Sequence, residues 1–193
     1  MSNSPKILAF AGSVRKDSFN KKLVQIAVAG AREAGGEVTL IDLKDYALPL
    51  FDQDFEASDG LPENALKLKK LFVDHQALLI SAPEYNSSIT PLLKNTLDWV
   101  SRPAPGEPAL TAYQGKVASL VSASPGALGG LRGLVHLRAI LGNIGVLVLP
   151  DQIAVPKAHE AFESTGSLKD AKQQHGVQDL GKRLVETVRK LSL

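Results

Sequence analysis

Short apolar runs alternate along this chain with longer stretches in which apolar residues recur every three or four positions. The runs read as buried strands and the longer stretches as amphipathic helices. Residues 6–11 (KILAFA) form the first run. A helix follows from about Asn20, with Leu23, Ile26, Ala27, Ala31 and Ala34 on one stripe, and Gly35-Gly36 stops it. Residues 37–43 predict a second strand, followed by a loop through Pro49 and Asp52-Gln53-Asp54. Pro62 opens a helix that runs to about Asp74 and turns Ala65, Leu68, Leu71 and Phe72 inward. Residues 77–81 predict the third strand, and residues 91–101 a helix carrying Leu92, Leu93, Leu97, Trp99 and Val100. Pro103, Pro105 and Pro108 forbid helix beyond it, so residues 102–108 read as an exposed loop. Residues 116–122 predict a fourth strand, then a glycine-rich turn and a helix over 128–141. Residues 145–149 predict the fifth strand, and 151–176 read as loop with at most a short helix. The last helix, 177–191, sets Leu180, Leu184, Val188 and Leu191 on one face.

Strands that alternate with helices imply a parallel sheet covered on both faces. Five strands point to an α/β fold of three α/β/α layers, with a doubly wound, flavodoxin-like sheet. The 193 residues suit one domain over 1–193, with no repeat and no linker. Apolar residues at 44% and charged residues at 22% are ordinary for a globular chain. A net charge of +2, from 22 basic and 20 acidic residues, gives no basis for nucleic-acid binding. Cysteine is absent, which removes disulfides, thiolate metal sites and a thiol nucleophile and permits a reducing compartment. No apolar run approaches the roughly 18 residues of a membrane span, and residues 6–10 are too short for a secretory core, so a soluble cytoplasmic protein is expected. His75, His136, His159 and His175 lack metal-ligand spacing and read as surface or packing residues. Asp52, Asp54, Glu56 and Asp59 read as a solvated loop.

Three loops after strands carry candidate chemistry. In open α/β sheets the carboxyl ends of the strands are where ligands bind. After the first strand, Gly12 allows a tight exit, Ser13, Ser18 and Asn20 offer hydrogen bonds, and Arg15 offers a fork to phosphate oxygens. This loop leads into a helix N-terminus, which favours an anion. It is neither a Walker A loop nor a dinucleotide fingerprint, and Ser18 or Asn20 would equally well cap the helix. After the third strand comes Pro83-Glu84-Tyr85-Asn86-Ser87-Ser88, where Tyr85 offers an aromatic face and Asn86 both donor and acceptor. Lys94, Asn95 and Asp98 read as a solvated helix face, with the Lys94-Asn95 pair as an alternative holder of that loop. After the fourth strand, residues 122–132 are rich in small residues, which a glycine-rich turn explains without any ligand. An anionic end at the first loop and a flat end at the second suggest a single bound molecule.

Taken in order, Gly12-Ser13-x-Arg15-x-x-Ser18-x-Asn20, then Pro83-Glu84-Tyr85-Asn86 through Lys94-Asn95-x-x-Asp98-Trp99, then Ser122 through Gly129-Gly130, the chain resembles the NAD(P)H-dependent FMN reductases, which include quinone, chromate and azo-dye reductases. The resemblance covers essentially the whole chain and is most specific in the second motif. One departure is Ser87, where the family commonly has glycine. The resemblance implies FMN as cofactor and NADPH or NADH as co-substrate. It places the FMN phosphate on Ser13, Arg15, Ser18 and Asn20 and the isoalloxazine ring beside Pro83, Glu84, Tyr85 and Asn86, with Ser88 in the same loop. Ser122 and the glycine loop with Gly126 and Gly129 would lie near the other ring edge. It further implies a homodimer or homotetramer with the flavin near the interface.

That resemblance implies ping-pong hydride transfer from NAD(P)H through FMN to a small-molecule acceptor such as a quinone, azo compound, chromate or free flavin. The cofactor supplies the redox chemistry, so no side chain is named as catalytic. The rival reading is a flavodoxin-type FMN electron carrier without nicotinamide turnover; such carriers tend to be acidic, and a charge of +2 fits them poorly. A third is a regulatory domain that senses flavin or nicotinamide state. Arg15, Arg102 and Arg132 are conceivable partners for a nucleotide 2′-phosphate.

Overall fold

A computed structural model describes residues 4–191; residues 1–3 and 192–193, the outermost parts of the expected 1–193 domain, lie outside it. Five parallel strands form the sheet: β1 (Lys6–Ala11), β2 (Glu37–Leu40), β3 (Ala77–Ser81), β6 (Val117–Ala123) and β7 (Leu147–Val155), in the spatial order β2-β1-β3-β6-β7. The apolar runs of β1, β3 and β6 are nearly continuous because both faces are covered. Ile7 and Ala9 point to one core, with Leu23, Ala27 and Ala31 of α1 (Phe19–Glu33) and Leu180, Leu184 and Val188 of α7 (Ala171–Leu191). Leu8 and Phe10 point to the other, with α3 (Glu63–Asp74), α4 (Pro91–Ser101) and α5 (Leu131–Asn143). The chain leaves β1 for β2 on one side and returns to β3 on the other, so the connections diverge above β1 and β3 and open a crevice there. Among the described residues no helix is long and apolar enough to cross a membrane.

Helices α1 and α7 touch backbone to backbone. A Cβ on Gly30 would lie 1.9 Å from the Gln178 carbonyl oxygen, and one on Gly181 would lie 2.0 Å from that of Ala27. Glycine at these two helical positions is a packing requirement that outweighs its poor helix propensity.

Several elements differ from the sequence expectation. Residues 53–59 are helical (α2, Gln53–Asp59) because Asp52 Oδ1 accepts from the N–H of Asp54 at 2.8 Å and of Phe55 at 3.4 Å. Glu56 accepts from Arg102 Nε at 2.8 and 2.9 Å, so this acidic group is partly structural. Strand β7 runs on past Leu149 to Val155, with a register shift between Ala118 and Leu120 of its neighbour. Pro150 is tolerated because β7 is the edge strand, and Arg138 reaches over to the Val148 and Pro150 carbonyls. The stretch 151–176 therefore holds the end of β7, the short α6 (Ala158–Ala161) and the start of α7, whose first turn Asp170 caps through the N–H groups of Lys172 and Gln173. Leu191, expected on the buried face, is exposed.

The second loop is an antiparallel hairpin of β4 (Glu84–Tyr85) and β5 (Ser88–Ile89). Its two central residues, Asn86 at φ 50° and Ser87 at φ 67°, both adopt the left-handed region that a type I′ turn demands.

Three expectations follow from these contacts. Gly30→Ala should lower the urea midpoint by the equivalent of about 2 kcal/mol, an overpacking effect opposite in sign to the helix-propensity gain. Ser87→Gly relieves a strained φ and should raise Tm by about 2 °C. Asp42 lies just past β2; burial raises its pKa, but the Lys21 amine at 2.5 Å and the Lys44 N–H outweigh that and hold it below the usual value. A depressed carboxyl contributes stability above its unfolded pKa of about 3.9 that disappears as pH falls through the folded one. Asp42→Asn should thus be less stable than the parent at pH 7 by thermal melting, with the gap closing below about pH 4.

Candidate active site

The loops after β1, β3 and β6 converge on one pocket. Its walls are Ser13, Arg15, Ser18, Phe19 and Asn20 from the first loop, Pro83, Glu84 and Tyr85 from the second, and Ala123, Ser124 and Pro125 from the third. The order of strands places these loops side by side at the switch point. Gly12 lets them close up: a Cβ there would stand 3.1 Å from Leu93 Cβ and 3.3 Å from Pro83 Cδ.

At the first loop, Ser18 occupies the N-cap position of α1 but makes no capping bond, and its hydroxyl has no hydrogen-bond partner among the described residues although the residue is 3% exposed. The first turn of α1 contains no acidic residue. Ser13 Oγ accepts from the Arg15 N–H at 3.3 Å, while the Arg15 side chain is exposed and in no ion pair. The capping role that sequence left open for Ser18 and Asn20 is therefore unfilled. What faces the pocket is a set of hydroxyl, guanidinium and backbone N–H donors, matched to a phosphate dianion.

Asn20 is turned inward. Its Nδ2 donates to the Ala123 carbonyl at 2.8 Å, and its Oδ1 accepts from Ser81 Oγ at 2.8 Å and the Ala123 N–H at 3.0 Å. Thr90 adds a second tie: its hydroxyl donates to the Gly12 carbonyl at 2.8 Å and accepts from the Leu93 N–H at 3.1 Å, capping α4. Sequence reasoning did not single out Ser81 or Thr90; Thr90-Pro91 carries a helix-start signal, but nothing in the sequence announces the bond to Gly12.

At the second loop Tyr85 is 51% exposed at the pocket rim, with Asn86 at the hairpin tip. Ser88 lies off the pocket wall, its hydroxyl 3.0 Å from His136 Nδ1. Both carboxylate oxygens of Glu84 are engaged: Oε1 accepts from Arg132 Nε at 3.0 Å and Nη2 at 2.7 Å, and Oε2 accepts from the Gly133 N–H at 3.1 Å. Burial raises the Glu84 pKa, but the Gly133 N–H and Arg132 outweigh it and hold the carboxyl below its usual range. Asn95 holds residues 49–51 instead of the hairpin, through the Pro49 carbonyl and the Phe51 N–H, and Lys94 pairs with Asp98 on the surface.

The third loop is mostly scaffold. Ser122 is fully buried and donates to the Ala82 carbonyl at 2.6 Å. Gly126 lies behind Ser124, whose Oγ accepts its N–H at 3.3 Å. Gly129 has φ 63°, and a Cβ there would sit 2.6 Å from the Val155 carbonyl carbon. Of the three arginines considered for a 2′-phosphate, Arg102 is tied to Glu56 and Arg132 to Glu84, which leaves Arg15 without an ion-pair partner among the described residues.

Residues 5–160 match the family model of the NADPH-dependent FMN reductases. The chain is 34% identical over 192 residues to an NAD(P)H-dependent FMN reductase of Pseudomonas aeruginosa, covering 99% of both chains. It is 35% identical over 144 residues to a 2-hydroxy-1,4-benzoquinone reductase of a Burkholderia species, covering 75% of this chain and 74% of that one. Among solved structures, the flavoenzyme NAD(P)H:(acceptor) oxidoreductase FerB of Paracoccus denitrificans aligns with a TM-score of 0.79 at 28% identity, covering 96% of this chain and 98% of that one. With most of its length matched by that model and the flavodoxin-like fold in place, the chain belongs to the NADPH-dependent FMN reductase family and is an FMN-dependent NAD(P)H oxidoreductase.

Proposed function

We propose that this pocket is the FMN site, that it lies in a single domain spanning the chain, and that quinones are the acceptor class. The carrying observation is the uncapped, acid-free N-terminus of α1, which shares one pocket with Arg15, the partnerless Ser18 hydroxyl and the Tyr85 rim. That donor set fits the phosphate end. Ser13, Arg15, Ser18 and the Phe19 and Asn20 N–H groups hold it, and the Asn20 side chain keeps those groups in place from behind. Residues 83–86 border the ring, with Glu84 anchored away from it. Ser122 and the loop of Gly126 and Gly129 back the opposite edge, and Ser88 supports the hairpin.

Bound FMN supplies the two-electron chemistry between NAD(P)H and the acceptor. The open side of the pocket beside the half-exposed Tyr85 admits nicotinamide and acceptor in turn, which gives ping-pong kinetics. Quinones are favoured because a relative of 35% identity is named for a benzoquinone; azo compounds, chromate and free flavin are the alternatives for the same opening. The electron-carrier reading is disfavoured by the charge of +2 and by the full-length reductase relative. Val14, Tyr85, Leu128, Leu131 and Val135 are exposed apolar residues on the loops and helix that form the site, which supports a homodimer or homotetramer with the flavin near the interface. The absence of cysteine suits a cytoplasmic location.

The purified protein loaded with FMN should show a flavin absorption band that NADPH bleaches anaerobically, and should oxidise NADPH faster with a benzoquinone than with an azo dye or chromate. Failure to take up FMN would sink the reading. Arg15→Ala should raise the FMN Kd by about tenfold, the worth of a charge-assisted phosphate contact, with the far-UV circular dichroism unchanged. Unaltered affinity would remove Arg15 from the phosphate site.

A further inference from the structure

Helix α5 begins at Leu131 with Gly130 as its N-cap residue, and it has no side-chain cap of its own. A helix start leaves N–H groups that ordinarily take a serine, threonine, aspartate or asparagine at that position. None of these fits here. Gly130 has φ 96°, and a Cβ on it would stand 1.9 Å from Ser122 Oγ, a hydroxyl already committed to the Ala82 carbonyl. The cap has to come from another element.

It comes from Glu84. The N–H that Glu84 Oε2 accepts belongs to Gly133, the third helical residue, which is one of the groups an N-cap side chain normally serves. Oε1 takes the Arg132 guanidinium on the same turn, and a carboxylate there also meets the favourable end of the helix dipole. The Glu84 side chain is 8% exposed, whereas that of Arg132 is 56% exposed, so the carboxylate is the buried centre of the contact. The hairpin lies directly on this turn: a Cβ on Gly133 would be 3.2 Å from the Ser88 carbonyl oxygen and 3.4 Å from Glu84 Cβ. The hairpin has two residue pairs and two left-handed tip residues, so it cannot hold its own shape.

We propose that Glu84 is a positioning residue that caps α5 in trans and thereby fixes the wall carrying Tyr85, so that flavin affinity depends on a contact between the hairpin and α5. Both oxygens of the Glu84 carboxylate are engaged on α5. The proposal rests on the FMN reading above, and one of its measurements is independent of flavin.

The test compares Glu84→Ala, Arg132→Ala, their double variant and Glu84→Gln. Two quantities are measured: amide hydrogen exchange at Gly133 in flavin-free protein, and the FMN Kd. Glu84→Ala should speed Gly133 exchange and raise the Kd, each by about tenfold. Arg132→Ala should do less, because the Gly133 bond survives. The double variant should be no worse than Glu84→Ala, since Arg132 acts through Glu84. Glu84→Gln, which keeps an acceptor for Gly133, should recover most of the loss. Unchanged Gly133 exchange in Glu84→Ala, additive losses in the double variant, or no recovery with glutamine would overturn the proposal. Should Glu84→Ala not fold, the same comparison built on Glu84→Gln decides, with a smaller rise in exchange and again no additivity. If the parent protein binds no FMN, the flavin reading fails while the exchange measurement still decides the cap.

Discussion

The buried amide of Asn20 ties together the carboxyl ends of the sheet on which the site is built. One side chain at the first turn of α1 bonds the last residue of β3 and both backbone groups of the last residue of β6. The loops that leave those two strand ends and the β1–α1 loop are the three sides of the pocket. A buried amide of this kind is held in one geometry, because any rearrangement leaves polar groups unsatisfied at a cost of about 1–3 kcal/mol each. The tie therefore sets the spacing between the β1–α1 loop and the loops after β3 and β6. Thr90 repeats the device between Gly12 and α4, and Ser122 repeats it between β6 and the residue before Pro83.

Behind that tie lies a second constraint. Helix α1 presents its N-terminus to the pocket, so its axis has to be fixed. Close contact at Gly30 and Gly181 pins α1 against α7, and the apolar stripe of each helix fills the core between them and the sheet. Steric fit sets the helix, and buried hydrogen bonds set the loops.

The sequence made the strand-helix alternation legible, and with it the sheet and its binding edge, because β1, β3 and α4 have uninterrupted patterns bounded by clear stop signals. It failed where a local signal was atypical. The hairpin escaped notice because its tip reads Asn86-Ser87 and not Asn-Gly, so a left-handed pair was hidden in an ordinary polar loop. Strand β7 was cut short at Pro150-Asp151, residues that normally end a strand and survive here only because the edge leaves one side unpaired. Helix α2 was missed because the acidic residues that cap and brace it read as solvated. The site residues were visible as types, but the bonds that Asn20 and Glu84 make within the fold, with β3, β6 and α5, were not.

Those bonds have a physical logic. A cofactor phosphate is a strong, localised charge, and in the proposed site it would meet the Ser18 hydroxyl and the Arg15 guanidinium, neither of which has a partner among the described residues. A flavin ring is broad and mostly neutral, and it is best met by a surface that does not move. In the proposed site the polar side chains beside the ring are already bonded within the fold: Glu84 to α5, Ser122 to the Ala82 carbonyl and Ser88 to His136. The same residue types serve opposite purposes at the two ends. The difference lies in whether the fold has already used their hydrogen bonds, which depends on the β-strand order and helix packing that bring distant segments together.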